Sequence, residues 1–139
     1  MKELIRQYIS RLEFDEKRSV ISAEVVFPRE FKGFKGHFPK RPLLPAVVQL
    51  AAARVILEEY LGRPLVMGRI RRCKFRGMVG PDEPIRFTME IEGPSETEPR
   101  EIQVRMEITD AEARTVAQCT FQVQGVEGSA ADPDGMNKG

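Results

Sequence analysis

The stretch Leu44-Pro45-Ala46-Val47-Val48-Gln49-Leu50-Ala51-Ala52-Ala53-Arg54-Val55-Ile56-Leu57-Glu58-Glu59-Tyr60-Leu61-Gly62-Arg63-Pro64 carries its own start and stop signals. Pro45 suits the first helical position, where a missing N–H costs nothing. Gly62 supplies a C-cap and Pro64 blocks continuation, so the spacing predicts a helix over 45–61. Gln49, Arg54, Glu58 and Glu59 form only a thin polar stripe on it. A helix apolar round most of its circumference is buried, and Ala51, Ala52 and Ala53 let other chain segments approach closely.

What surrounds this helix reads as strands. Residues 6–14 alternate apolar and polar, with Tyr8, Leu12 and Phe14 on one face, while Leu4, Ile5, Tyr8, Ile9 and Leu12 also fit a helical period, so the start of the chain supports both patterns. Asp15-Glu16-Lys17-Arg18 is a polar turn, and the β-branched run over 19–27 completes a hairpin. After the helix, strands are expected over 65–78, 84–92, 100–109 and 114–124, separated by Gly, Pro, Asp or acidic turns. Strands, one long central helix, then an antiparallel run of strands define an α+β layer in which a sheet curls round the helix. The domain is expected to span 1–126, and the polar segment 127–139 holds too little apolar surface to fold and is expected to be a disordered tail.

Composition narrows the classes of function. The 139 residues carry 22 Lys plus Arg against 21 Asp plus Glu, a formal charge of +1 that gives no overall attraction to nucleic acid. Cys73 and Cys119 have neither CxxC spacing nor further Cys/His company, so no zinc site or disulfide framework is expected and both should stay reduced. No secretion signal and no run approaching the ~20 apolar residues of a bilayer span is present, which points to a soluble, cytoplasmic protein.

The segment over 28–44 holds prolines and glycines in no regular pattern, as long ordered loops with a function do. Within it stands the only histidine, in Gly36-His37-Phe38-Pro39-Lys40-Arg41-Pro42-Leu43-Leu44-Pro45. Imidazole transfers protons near neutral pH without special tuning, and Pro39, Pro42 and Pro45 stiffen the backbone that carries it. His37 is therefore the chain's catalytic candidate.

This segment, followed by an apolar helix, resembles the signature loop of the FabA/FabZ-type 3-hydroxyacyl-acyl-carrier-protein dehydratases, which adopt the hot-dog fold. Lys74-Phe75-Arg76-Gly77-Met78-Val79-Gly80-Pro81-Asp82-Glu83-Pro84 is similar to the family's strand and proline-containing turn after the helix. Leu44-Pro45-Ala46-Val47-Val48-Gln49-Leu50 looks closest to a subgroup found with aryl-polyene and related carrier-protein pathways, whose members commonly lack the helix carboxylate. The resemblance implies a sheet wrapped round the helix, a homodimer or higher oligomer with sites at the subunit interface, and no dissociable cofactor. It implies a substrate held as a thioester on the phosphopantetheine arm of acyl carrier protein and dehydrated to the trans-2-enoyl thioester, in fatty-acid or polyene biosynthesis. It also implies an acyl tunnel, for which Phe38, Pro45, Gln49, Leu50 and Ala51 are the expected lining; Phe31 and Phe34 fit either that tunnel or simple packing.

The residues support the chemistry independently. Elimination of water needs a base for the proton α to the carbonyl, stabilisation of the enolate oxygen, and an acid for the departing hydroxyl. His37 is the expected base, and the N–H groups of Ala46 and Val47, which lack intrahelical partners, are the expected oxyanion hole. The family pattern places a Glu or Asp six residues after the last loop proline, where this chain has Ala51, and Ala46 replaces the usual glycine. Three sources for the acid stay open: His37 acting twice, assistance from Gln49 or the more distant Glu58, or a carboxylate from a non-identical hot-dog partner. Lys40, Arg41, Arg72, Lys74 and Arg76, with Lys32, Lys35, Arg69 and Arg71 nearby in sequence, are the expected docking surface for an acidic carrier protein, the alternative being a solvated face. A hot-dog thioesterase and a non-catalytic or partner-completed hot-dog subunit are the competing functions.

Overall fold

The computed structural model describes residues 2–31, 44–97 and 99–126. Helix α1 (Lys2–Gln7) leads directly into β1 (Ile9–Asp15), which pairs with β2 (Val20–Val25) across the polar turn. Both patterns legible at the chain's start are therefore realised, one after the other. Helix α2 (Ala46–Leu61) comes next, then β3 (Leu65–Phe75), β4 (Ile85–Glu92), β5 (Glu101–Thr109) and β6 (Thr115–Gly125). Pro45 is the N-cap of α2 rather than its first helical residue, and Gly62 closes it in the left-handed conformation at φ 75°, its N–H bonded to the Glu58 carbonyl.

The strands form one six-stranded sheet in the order β1-β2-β4-β5-β6-β3, antiparallel at every junction. The chain thus leaves β2 near one edge, runs through α2, and re-enters as the opposite edge strand. Period-two alternation selects the inner face: Ile21, Ala23 and Val25 of β2, Ile85, Phe87 and Met89 of β4, Val104, Met106 and Ile108 of β5, and Ala117, Cys119, Phe121 and Val123 of β6 are buried. They share one core with Ala52, Ala53, Val55, Ile56 and Leu57 of α2. Of the three alanines expected to face other chain segments, Ala52 and Ala53 are fully buried in this core and Ala51 only partly.

Two of the four residues of the polar stripe on α2, Gln49 and Glu58, are buried. A sheet that curls round a helix covers positions that would face water on an ordinary surface helix. Glu58 is held on both sides: one carboxylate oxygen lies 2.8 Å from Lys2 Nζ and the other accepts the Leu65 N–H at 2.8 Å. With the Arg6–Glu59 ion pair, this ties α1 and the start of β3 to the C-terminal end of α2.

The expectation that both cysteines stay reduced is corrected. Cys73 and Cys119 are joined as a disulfide across β3 and β6, with Cα atoms 4.1 Å apart. Their spacing of 46 residues matches no motif. A break in register between Arg71↔Thr120 and Lys74↔Gln118 places them opposite each other.

Candidate functional site

Three connections fix the N-terminal end of α2. Leu44 N–H donates to the Val79 carbonyl at 2.8 Å, which sets the segment between β3 and β4 beside the helix start. That segment is anchored in turn, since the Arg76 and Gly77 amides both donate to Val116 O and Asp82 N–H donates to Phe27 O. On the inner side, Gln49 Nε2 donates to Leu44 O at 3.1 Å. Leu44 is thus held at both its amide and its carbonyl.

Pro45 then caps the helix in extended geometry, at φ −65° and ψ 153°. The first helical bonds run from Val48 and Gln49 N–H to Pro45 O, each 3.1 Å. The amides of Ala46 and Val47 precede this ladder and have no intrahelical acceptor, which leaves the positive end of the helix dipole with two donors in hand. The Val47 side chain is 71% exposed and Met78 58%, so this end of the molecule presents apolar surface beside those donors.

Among the described residues, the remaining sequence-derived site residues are not brought together at one place. His37, Phe38, Lys40 and Arg41 lie outside the described residues. Leu50 and Ala51 are partly buried and pack against the core, while Gln49 has no exposed polar face with which to assist a reaction in solvent. Arg72 and Lys74 line a depression with Thr88, Glu90, Arg105 and Thr120, residues that alternate with the buried ones and so stand on the sheet face opposite α2. A bulge directs them there, with Arg72 at a left-handed φ of 54°. Arg105 is already paired with Glu90 at 2.8 Å. Arg76 is exposed just past β3. Phe31 packs in an aromatic cluster with Tyr8 and Phe27, at centroid distances of 5.7 and 4.9 Å, which favours the packing role over the tunnel.

The burial of Gln49 was not anticipated. Gln49 is 97% buried, and while its Nε2 is used, its Oε1 has no hydrogen-bond partner among the described residues. The orientation of the amide is fixed by its neighbour, because the Leu44 carbonyl can only accept and must face the NH₂ group. The sequence signal for this was a glutamine one turn inside an otherwise apolar helix start. Among the described residues no group of three His, Cys, Asp or Glu side chains is placed to hold a metal.

A capped helix whose first amides have no intrahelical acceptor, packed against a six-stranded antiparallel sheet, agrees with the match of residues 13–120 to the family model described as ApeI-like, ApeI dehydratase. The chain belongs to the ApeI-like dehydratase family. Among curated relatives of this ApeI-like chain, the 3-hydroxyacyl-(acyl-carrier-protein) dehydratase FabZ of Clostridium acetobutylicum is 32% identical over 82 residues, 54% of this chain and 57% of that protein. FabZ of Pediococcus pentosaceus is 35% identical over 95 residues, 63% of this chain and 62% of that one. The chain therefore spans less than two thirds of the length of these relatives.

Solved structures establish the fold. The dehydratase heterocomplex ApeI:P from Xenorhabdus doucetiae superposes with a TM-score of 0.64 at 18% identity, over 84% of this chain and 96% of that one. A hypothetical thioesterase with coenzyme A from Streptococcus pneumoniae gives 0.60 at 11% identity, over 85% and 84%. The ApeI-like chain has the α+β hot-dog fold.

Proposed function

We propose that the protein is a dehydratase that converts 3-hydroxyacyl thioesters on acyl carrier protein to trans-2-enoyl thioesters, in fatty-acid or polyene biosynthesis in the cytoplasm. The observation that carries this reading is the N-terminus of α2, where the Ala46 and Val47 amides lie ahead of the helical ladder, directly after the Gly36-His37-Phe38-Pro39 sequence.

In this mechanism, the two amides receive the thioester oxygen and stabilise negative charge as it develops there. His37 removes a proton from C2, and the electron pair of that C–H bond becomes the C2=C3 double bond as the C3–O bond breaks. The departing hydroxyl takes a proton and leaves as water. The chain supplies a base and an oxyanion site but has Ala51 where the family pattern has a carboxylate, so the proton for the hydroxyl comes from a second, non-identical hot-dog subunit that completes the interfacial site. The ApeI:P dehydratase, itself a heterocomplex, is in keeping with such pairing. Docking of the acidic carrier protein falls to Lys40, Arg41 and Arg76, and Arg72 and Lys74 contribute long-range attraction from the outer face.

The test is incubation of the full chain, alone and with a second hot-dog subunit, with a 3-hydroxyacyl carrier-protein thioester. Loss of one water is followed by mass spectrometry and free thiol by a colorimetric reagent. Enoyl product that disappears in His37→Ala is the expected result. Free thiol without enoyl product makes the protein a thioesterase instead.

A further inference from the structure

Among the described residues the sheet ends in two edge strands, and they differ in charge. β1 carries Arg11 against Glu13 and Asp15, whereas β3, 11 residues long, carries Arg69, Arg71, Arg72 and Lys74 and no acid. None of these four cations has an ion-pair partner among the described residues. The same edge leaves apolar surface open. Ile70 stands opposite Phe121 in the β3–β6 register, and opposite residues of paired strands share a face, so Ile70 continues the row of the buried core. Yet Phe121 is 1% exposed and Ile70 45%, as is Val66 on the same strand, so among the described residues nothing covers the core past β3. A strand that ends a sheet also presents unpaired backbone donors and acceptors along its outer side. Open backbone groups beside uncovered apolar side chains fit another strand.

A second copy of this chain is the wrong strand for that place. Two copies meeting antiparallel about a twofold axis pair the segment 69–74 with itself, and in any such register it offers its image only cations. Like charges directly opposite destabilise strand pairing and opposite charges stabilise it. We propose that the β3 edge is a docking surface for a non-identical chain that adds an edge strand bearing acidic side chains. Backbone hydrogen bonds along β3 and cover over Val66 and Ile70 supply the attraction, and carboxylates facing Arg69, Arg71, Arg72 and Lys74 select the partner. Cations alone would guard the edge against every strand; combined with exposed Val66 and Ile70 they discriminate between strands. The inference deepens the proposed reading by giving the second subunit a place, and it rests on that reading only for the partner's being a hot-dog subunit. The place is connected to the candidate site, since β3 leads into the segment whose Val79 carbonyl accepts the Leu44 N–H at the start of α2.

The full chain tests this with a charge-reversed copy of itself as the acidic strand. The triple variant Arg69→Glu, Arg71→Glu, Lys74→Glu puts carboxylates on β3 and leaves the rest of the molecule unchanged. Sedimentation, with one chain fluorescently labelled, is run on wild type, variant and their equimolar mixture at about 20 mM and about 500 mM salt, which shortens the Debye length from roughly 20 Å to roughly 4 Å. At low salt the mixture should form a 1:1 dimer about tenfold tighter than either chain forms with itself. High salt should weaken that dimer and tighten self-association of the wild type. A wild-type dimer as tight at low salt as at high, or a mixture that associates no more tightly than its components, overturns the proposal; samples that all stay monomeric do so by making the cations a plain guard. If circular dichroism shows the variant unfolded, the wild-type salt series decides, and self-association that does not tighten with salt overturns the proposal. Turnover is measured separately. Charge-selected pairing without enoyl product removes the dehydratase reading and keeps the docking surface, and enoyl product without charge-selected pairing does the reverse.

Discussion

Asp110 shows how much of a turn one carboxylate can organise. It closes the β5–β6 hairpin by accepting the Arg114 and Glu112 amides on one oxygen and the Arg114 guanidinium on the other, all at 2.9 Å. The Arg114 amide, followed by its side chain, holds the carboxyl below its ordinary range against the opposing effect of burial. A group whose pKa is lowered by folding stabilises the native state at pH above its unfolded value and loses that contribution as pH falls through the folded one. Melting temperatures of wild type and Asp110→Asn should therefore differ most near neutral pH and converge as the pH drops below about 4. Glu58 offers the contrasting case of a carboxylate that is structural though it sits on the candidate catalytic helix. Glu58→Ala strips the buried Leu65 amide of its acceptor and should cost about 2 kcal/mol by chemical denaturation. Its dehydration rate should stay that of wild type, since Glu58 is occupied by Lys2 and Leu65 at the far end of α2.

At the scale of elements, punctuation was easier to read than burial. Pro45, Gly62 and Pro64 bracketed α2 because each acts locally through its own backbone. Gln49 and Glu58 were assigned to a polar stripe because periodicity reports residue type; which side of a helix is covered depends on how far the sheet wraps. The Cys73–Cys119 pairing was hidden for a similar reason, since it follows from a bulge in β3 and its register with β6. His37, which stands eight residues before Pro45 in the sequence, lies outside the described residues. Two glycines test the supports of α2, Gly77 beside its N-terminal end and Gly62 at its C-terminal end. Gly77 sits so close to β6 that an added Cβ would lie 2.5 Å from a Val116 methyl and 3.1 Å from its Cα. Gly77→Ala should cost about 2 kcal/mol and loosen the segment that holds Leu44. At Gly62 nothing lies within 4 Å, and only the φ of 75° opposes a side chain. Gly62→Ala should cost about 1 kcal/mol, and the ordering of the two variants by denaturation separates packing from backbone preference.

For the whole molecule, the decisive question under the proposed dehydratase reading is where the acid comes from when position 51 of α2 is alanine. Ala51 is one turn beyond Val47, whose side chain is open to solvent, and is itself only partly buried. That face of α2 has room for a longer side chain, unlike the face of Ala52 and Ala53, which is closed by the sheet. A positioned acid is worth ~10²–10⁴-fold in rate, so the chain alone should be slow and a partner subunit carrying the carboxylate should raise turnover by a factor in that range. Ala51→Glu restores the missing group in the chain itself. It should raise the rate of the isolated protein by ~10²-fold and add nothing to the complex, where the position of the acid is already filled. Single-turnover rates of enoyl formation, measured for both proteins with and without the second subunit, check this. A gain of equal size in both settings would show that the partner does not supply the acid, and no gain in either would show that the proton reaches the hydroxyl without a carboxylate at this face.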